Sequence, residues 1–255
     1  NRTEQRIENT AVSIDVLPQR LLTSKSNSRI EQVIQMSPGV TIQDGQANIR
    51  SGSGWSLGAG SRVLLLVDDL PVLSPDAGGA IWNAMPMEAI EQIEIVKGAA
   101  SSLYGSSALN GVIHLRTWEP SDEMRIRVNT MTEIYDQAKI NSLNWSNQVR
   151  VQGAIRFAYS DSRGENNKHG WVFHGQALND QGFQYLVGDE SIRVHGKYRY
   201  KPSNNFEIGI NANVWSSDRS SSLIWEDFRF GYTPLDSSAT LTQSNLGSIN
   251  GYLKI

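Results

Sequence analysis

The sequence contains no cysteine, which excludes a disulfide framework and any thiolate metal site. Its longest aliphatic run, from Val63 to Val67, is far shorter than the ~20 apolar residues that a membrane-spanning helix requires. Charge of either sign is scarce, with 23 Lys and Arg against 26 Asp and Glu, so no sequence-wide positive field would attract a phosphate backbone. The composition therefore excludes a helical membrane protein and argues against a nucleic-acid partner.

Motifs of catalysis are also missing. No metal-ligand spacing relates the four histidines, which are His114, His169, His174 and His195. Neither a G-x-S-x-G nucleophile elbow nor a P-loop occurs. The neighbouring carboxylates of Asp68 and Asp69 point apart where they leave a predicted strand, so we interpret them as a turn. The sequence predicts no catalytic residue, no metal site and no cofactor, and it does not suggest an enzyme.

The chain changes character near residue 120, and this change predicts two domains, residues 1–118 and 119–255. The first domain mixes short strands with short helices. We expect a helix capped by Ser28 and a hairpin around Asp44-Gly45. The predicted strands of this domain outside the hairpin are residues 11–17, 62–67, 90–96 and 111–116. This pattern is typical of an α+β domain.

After Pro120, apolar and polar residues alternate, which indicates two-faced strands. In the segment from Phe206 to Val214, apolar residues occupy every second position, and Glu207 and Asn211 lie on the opposite face. The segments with this pattern are residues 126–134, 149–159, 192–200 and 206–214. We expect long antiparallel strands, with residues 160–190 as a possible long loop.

Two architectures fit this alternation: a soluble sandwich with its apolar faces inward, and a membrane barrel with its apolar face toward lipid. A sandwich needs a second layer over the apolar face, and the last 135 residues show no evident one. Aromatic residues near the predicted strand ends favour the interfacial girdle of a barrel, with capping of a soluble β core as the alternative; they are Tyr159, Trp171, Tyr198 and Tyr200. The alternation alone leaves both open.

Four motifs of the first domain occur in the order of a known family. The stretch from Ile90 to Thr117, IEQIEIVKGAASSLYGSSALNGVIHLRT, resembles the signature that closes the plug domain of TonB-dependent outer-membrane receptors. Upstream, Asn48-Ile49-Arg50-Ser51-Gly52 is similar to the family's "IRG" turn, Val63 to Pro71 to its "VLVDGVP" strand, and Met36 to Val40 to its "P-G-V" element. The resemblance covers residues 11–117 and departs from the pattern at Ser51, Asp69 and Lys97.

The resemblance implies an α+β plug domain followed by antiparallel strands of a transmembrane β-barrel. Family barrels have 22 strands and enclose the plug, so we expect the present 255 residues to contain only the first part of the barrel. It also implies the bacterial outer membrane as location, with lipid against the apolar strand faces.

Several residues receive roles from the resemblance. Arg50 and Lys97 occupy basic positions that pair with glutamates of the barrel wall, and Glu94 lies on the strand leading to Lys97; we call these three the latch residues. Trp55 and Trp82 lie in two loops expected at the plug apex, where an aromatic ring either stacks on a ligand or wedges against the wall. The motif positions are expected to be structural; they are Gly52, Asp68, Gly98, Gly105 and Gly111. Glycine permits positive φ and close backbone approach.

Family members import iron-siderophore complexes, haem, cobalamin or glycans. The resemblance thus implies a receptor that binds a scarce extracellular nutrient and imports it with the TonB–ExbB–ExbD energy-coupling complex, with a surface lipoprotein as a possible further partner. The alternative is a binding or assembly subunit that keeps the plug and barrel without transport. A short energy-coupling segment would discriminate them, and the residues from Asn1 onward do not resemble one.

Overall fold

The structure is a computed structural model. It describes residues 13–23, 29–43, 45–50, 62–73, 80–82, 85–98, 104–146, 148–203, 205–222, 224, 227, 229 and 232–254. The chain divides into two compact units, Asn1–Trp118 and Glu119–Ile255, and each is described by itself.

The first unit is built on a five-stranded mixed sheet with the order β1-β6-β7-β4-β5, beside a separate hairpin of β2 and β3. Strand β4 runs parallel to β7, and the other neighbours in the sheet are antiparallel. Its elements are β1 (Ser13–Pro18), α1 (Gln19–Thr23), α2 (Ile30–Ile34), β2 (Val40–Gln43), β3 (Gln46–Ile49), β4 (Val63–Val67), β5 (Leu70–Pro71), β6 (Ile90–Lys97) and β7 (Gly111–Thr117).

Continuous aliphatic runs form the core of this unit. Leu64 and Leu66 of β4 pack with Val112 of β7 and with Ala108, which follows from the unbroken apolar sequence of a strand buried on both faces. Helix α2 turns its buried residues Ile30, Val33 and Ile34 inward, as its spacing predicts. Its N-cap position is Arg29, and the predicted cap Ser28 lies outside the described residues.

The turn predicted at Asp68-Asp69 is present, and it ties two strands together. Both residues have positive φ, 47° and 68°, as Asp tolerates in tight turns. The Asp68 carboxylate accepts hydrogen bonds from the backbone N–H of Thr117 at 2.8 Å and from its hydroxyl at 2.7 Å. The turn therefore closes the β4–β5 connection onto the end of β7.

The second unit is an antiparallel meander of six strands in the order β13-β12-β11-β10-β9-β8. Its strands are β8 (Arg125–Tyr135), β9 (Arg150–Arg163), β10 (His169–Asp180), β11 (Gly188–Ser203), β12 (Phe206–Ser222) and β13 (Ala239–Lys254). In the described part of the chain, no helix is long and apolar enough to cross a membrane.

Two of these strands differ from the sequence expectation. Strand β10 occupies much of the region considered as a loop, and β13 was not predicted. In β10, Val172 and Leu178 share the polar face with His174, while Gly175 interrupts the apolar face, so the alternation is blurred. In β13 the exposed face mixes Leu241 and Ile249 with polar residues and glycines.

The sheet exposes its apolar face and buries its polar face. Val128 and Val194 are 67% and 47% exposed, whereas the charged side chains of Arg156 and Arg193 are buried. The aromatic group predicted near strand ends lies on the exposed face at one end of three adjacent strands, where Trp171 pairs with Tyr198, and the other members are Tyr159 and Tyr200. This distribution is the inverse of a soluble sheet.

We expect Gly111→Ala to destabilise the first unit more than Gly98→Ala. Both glycines have a positive φ, which costs an alanine of order 1–3 kcal/mol. A Cβ at Gly111 would in addition lie 2.4 Å from the Val96 carbonyl oxygen and 2.8 Å from Ile49 Cδ1, whereas Gly98 has nothing within 4 Å. The difference should be about 2 kcal/mol, read from hydrogen exchange of the β4 and β6 amides in the complete protein. Equal losses of protection would contradict the close packing at Gly111.

Candidate functional site

The three latch residues lie at two places in the first unit. Lys97, at the end of β6, is 7% exposed and forms an ion pair with Asp15, the residue that β1 brings to this end of the sheet. Its ammonium also donates to the carbonyl of Pro38 at 2.7 Å. This gives Lys97 an ion pair within its own unit, and the latch with glutamates further along the chain stays a prediction.

The Asp15 carboxylate is surrounded by positive charges and hydrogen-bond donors. Burial alone would raise its pKa, but hydrogen bonds from Lys97 and Ser37 and the charges of Lys97 and Arg50 outweigh burial, so the pKa lies below its usual value. Ser37 donates to the carboxylate at 2.5 Å. Arg50 itself is exposed, has a φ of 55° and donates its backbone N–H to Gly39. Asp15 is thus ionised and holds β1 against β6 through Lys97.

The third latch residue, Glu94, belongs to a separate charged cluster, which we call the His114 cluster. It comprises Asp69, Glu94, His114 and Arg116. The Arg116 guanidinium lies 3.0 Å from Asp69 Oδ2 and 3.5 Å from Glu94 Oε1. His114 is 1% exposed, with Nδ1 at 3.8 Å from Glu94 Oε2.

His114 is held neutral at the centre of this cluster. Its Nε2 accepts a hydrogen bond from the backbone N–H of Asp69 at 3.0 Å, which requires an unprotonated nitrogen. Burial, followed by the charge of Arg116, lowers the pKa of His114, while the carboxylates of Asp69, Glu94 and Asp68 oppose the shift only in part.

The His114 cluster was not predicted from the sequence. Glu94 and His114 are paired across β6 and β7, and the Asp69 turn reaches them only because β4 runs parallel to β7. Pairing of this kind depends on strand register, which local sequence does not reveal.

The remaining motif residues occupy structural positions or lie outside the described residues, as Gly52 and Trp55 do. Trp82 is 8% exposed and donates its indole N–H to the Gly45 carbonyl at 2.7 Å, so its ring is part of the packing of the first unit. Its role toward a ligand stays a prediction. Gly98 and Gly105 have φ values of 124° and 83°.

The buried face of the second unit carries a polar ladder. The Arg156 guanidinium donates to Gln176 Oε1 at 2.7 Å, and His195 Nδ1 lies 2.6 Å from His174 Nε2. Lys197 lies 3.3 Å from Glu119 Oε1. Among the residues described, no group of three or more His, Asp or Glu side chains could hold a metal ion.

At one end of the sheet, residues between Tyr135 and Arg150 line a cavity of about 190 Å³ together with Phe183, which lies in the connection between β10 and β11. Tyr232, from the connection between β12 and β13, also lines it. We call this cavity the loop cleft. Its aromatic residues were not among the ligand-binding residues predicted from sequence, because they come from three separate connections.

The comparisons with known proteins agree with this architecture. The model of the TonB-dependent receptor plug domain matches residues 6–112. The vitamin B12 transporter BtuB of Vibrio vulnificus strain YJ016 is 27% identical over 221 residues, which cover 86% of this chain and 34% of that protein. The ferric enterobactin receptor PirA of Pseudomonas aeruginosa is 28% identical over 216 residues, covering 74% of this chain and 29% of PirA.

Solved structures show the same fold. The unliganded ferric citrate transporter FecA superposes with a TM-score of 0.75 at 15% identity, covering 94% of this chain and 37% of FecA. The siderophore receptor PirA of Pseudomonas aeruginosa gives a TM-score of 0.64 at 19% identity, covering 81% of this chain and 34% of PirA. Plug domain and antiparallel strands, as predicted, are therefore confirmed as the fold class.

Neutral His114 makes the stability of the plug depend on pH. Its lowered folded-state pKa means that the unfolded plug binds a proton first, as the pH falls below about 6.5. The contribution of neutral His114 to the free energy of unfolding is fully present above that pH and is lost as the pH falls toward the folded-state pKa. Over this range the population of the locally opened plug should rise by up to about tenfold per pH unit. Hydrogen-exchange protection of β7 between pH 7.5 and 5 measures this in the complete protein. His114→Gln should remove the dependence, and an unchanged slope would contradict a neutral His114.

The chain spans about a third of the length of the curated relatives it matches, since it covers 34% of BtuB and 29% of PirA. Its first unit carries the plug motifs and the match to the plug model, and its second unit carries antiparallel strands with the fold of the solved receptors. Residues 6–112 therefore match the plug domain of the TonB-dependent receptors, and the chain as a whole is similar to members of that family.

Proposed function

We propose that the protein to which this chain contributes is an outer-membrane importer that binds a scarce, bulky nutrient outside the cell and admits it to the periplasm with energy from TonB. The observation that supports this most directly is the inverted sheet of the second unit. Exposed Val128, Phe157 and Val214 suit contact with lipid, and buried Arg156 and Arg193 suit a wet interior.

The connections between strands support an orientation. In outer-membrane barrels the periplasmic turns are short and the extracellular loops are longer. Residues 136–149, 181–187 and 223–238 connect the strands at one end, and the shorter segments 164–168 and 204–205 connect them at the other. We therefore propose that the loop cleft faces the outside of the cell and that the aromatic group, at the short-turn end, lies at the periplasmic interface.

The backbone of the edge strands supports a larger barrel. Within the described residues, β8 and β13 each pair on one side only. Unpaired N–H and C=O groups cost several kcal/mol each in hydrocarbon, so a lipid-embedded sheet of this kind requires further strands to close it. Closure into the 22-stranded barrel of the family would satisfy both edges.

The names of the relatives support a proposal for the ligand and the partners. BtuB is named as a vitamin B12 transporter, PirA as a ferric enterobactin receptor and CntO as a metal-pseudopaline receptor. We propose a ligand of this type, a metal chelate or cobalamin too large for passive pores. TonB–ExbB–ExbD would supply the work, and no catalytic step on the ligand is required.

Ile249→Arg should destabilise the complete protein in lipid far more than Ser248→Arg. Ile249 is 75% exposed on the apolar face of β13, and its neighbour Ser248 lies at the same depth on the polar face. Arginine on the lipid face near the bilayer midplane costs about 2–4 kcal/mol, and on the lumen face much less. Reversible unfolding in phospholipid vesicles measures both. Equal costs at the two positions would exclude a lipid-facing sheet.

Uptake of radiolabelled vitamin B12 or ferric enterobactin by cells that express the complete protein should require TonB. Deleting TonB should abolish accumulation of the ligand that binds and leave its binding at the cell surface unchanged, because binding needs no energy and passage does. Entry of a porin-sized solute in the same cells is the control.

Accumulation at an undiminished rate without TonB would contradict the proposal. Surface binding without accumulation in cells that contain TonB would favour the binding or assembly subunit instead.

A further inference from the structure

The loop cleft is a preformed structure, because hydrogen bonds fix its frame. The Tyr135 hydroxyl, at the end of β8, lies 2.7 Å from Asp180 Oδ1 and 3.1 Å from Gln152 Oε1, so it spans the ends of three strands. Asp180 Oδ1 also accepts the backbone N–H of Gly182 at 2.7 Å. Arg150 Nε donates to the Gly182 carbonyl at 2.9 Å.

Hydrogen bonds join the three connections that contribute aromatic residues to the cleft. The Trp145 indole N–H donates to the Phe183 carbonyl at 2.9 Å, and the backbone N–H of Tyr185 donates to the Tyr232 carbonyl at 2.9 Å. Leu186 has a φ of 57°, a strained conformation for a leucine, in the turn that presents Phe183 and Tyr185. A cleft held in this way requires little reordering when a ligand binds.

Aromatic rings form the walls. Tyr135 and Phe183 are 6.1 Å apart between ring centroids, and Phe183 meets Tyr232 edge-on at 5.5 Å. Trp145 lies 5.4 Å from Tyr185 and carries the Arg150 guanidinium 4.7 Å from its ring centroid. Such rings offer faces with negative potential, which attract the C–H groups of a saturated ring.

Polar side chains complete the lining without a net charge. The charged ones are Asp136 and Arg150, one of each sign, and Arg150 already binds Trp145 and Gly182. Side-chain amides of Gln137 and Asn144 also line the cleft, and each amide offers both donors and an acceptor. This set suits neighbouring hydroxyl groups, and it provides no excess positive charge for an anionic iron-catecholate.

We propose that the loop cleft binds one neutral, hydroxyl-bearing saturated ring, which is a pyranose unit of a carbohydrate. The volume of about 190 Å³ lies below the ~300–1,000 Å³ of clefts that enclose a whole drug-sized ligand, so one ring enters and the remainder of the molecule stays outside. The proposal relies on the proposed function only for placing the cleft outside the cell. The ring belongs either to a soluble glycan or to the sugar of a surface glycolipid.

Binding can be measured on the complete protein in lauryldimethylamine oxide, a detergent without sugar headgroups. Saturation-transfer NMR with the methyl glycosides of glucose, galactose, mannose and N-acetylglucosamine should detect at least one of them, and purified lipopolysaccharide forms a second arm. Signal from the free glycosides indicates a soluble glycan, and signal from lipopolysaccharide alone indicates a surface glycolipid. Either result supports the proposal.

Three variants locate the site. Trp145→Ala removes one wall of the cleft, and Asn144→Leu removes a side-chain amide at an exposed position. Each should weaken binding by about tenfold or more. Trp171→Ala, the same substitution at the opposite end of the strands, should change affinity by less than about twofold.

Three results would overturn the proposal: no sugar bound by either arm, sugar binding that both cleft variants leave intact, or a ferric tris-catecholate bound in a Trp145-dependent manner. The test is independent of the proposed transport, because sugar binding in detergent needs no TonB. TonB-dependent uptake combined with an empty cleft would reject this inference alone.

Discussion

The sheet of the second unit keeps its apolar side chains outside and its polar side chains inside, and this constraint governs the rest of the molecule. Water around such a sheet would be unfavourable, because every second residue would expose an aliphatic side chain to it. Lipid on the outer face removes that cost, while buried side chains such as Arg156 and His195 must be satisfied within the interior. The polar ladder on the buried face follows from this distribution, and closure of the two edge strands in a larger barrel is proposed from it.

The plug follows the opposite rule within the same chain. Its aliphatic strands β4 and β7 are buried, and two of its charged sites are matched: Lys97 pairs with Asp15, and neutral His114 lies between carboxylates and Arg116. Removing one partner of a buried pair is costly, because it leaves the other charge buried without compensation. The His114 cluster and the Lys97 pair lie at different places along β6, which gives this strand two separate electrostatic anchors.

Much of the fold could be predicted from sequence, and the exceptions have a physical cause. The hairpin of β2 and β3, the buried strand β4 and the Asp68-Asp69 turn are local features, and the structure contains them. Four strands of the second unit followed from alternation. Strand β10 was not predicted because Val172 and Leu178 share its polar face, and β13 was not predicted because few of its exposed residues are apolar. Periodicity identifies a strand only when both faces are chemically distinct.

The candidate sites were less predictable, because they depend on register and on connections far apart in sequence. Trp145, Phe183 and Tyr232 lie in three different connections, and only the meander of β8 to β13 brings those connections to one end. Tyr135 meets Asp180 only because β8, β9 and β10 hold their observed register; a shift of one residue would turn the tyrosine to the exposed apolar face. The same register that exposes the aliphatic side chains on one face therefore also assembles the cleft. The membrane would act on ligand recognition through the strands, since whatever fixes their register in lipid also fixes the aromatic walls at their outer end.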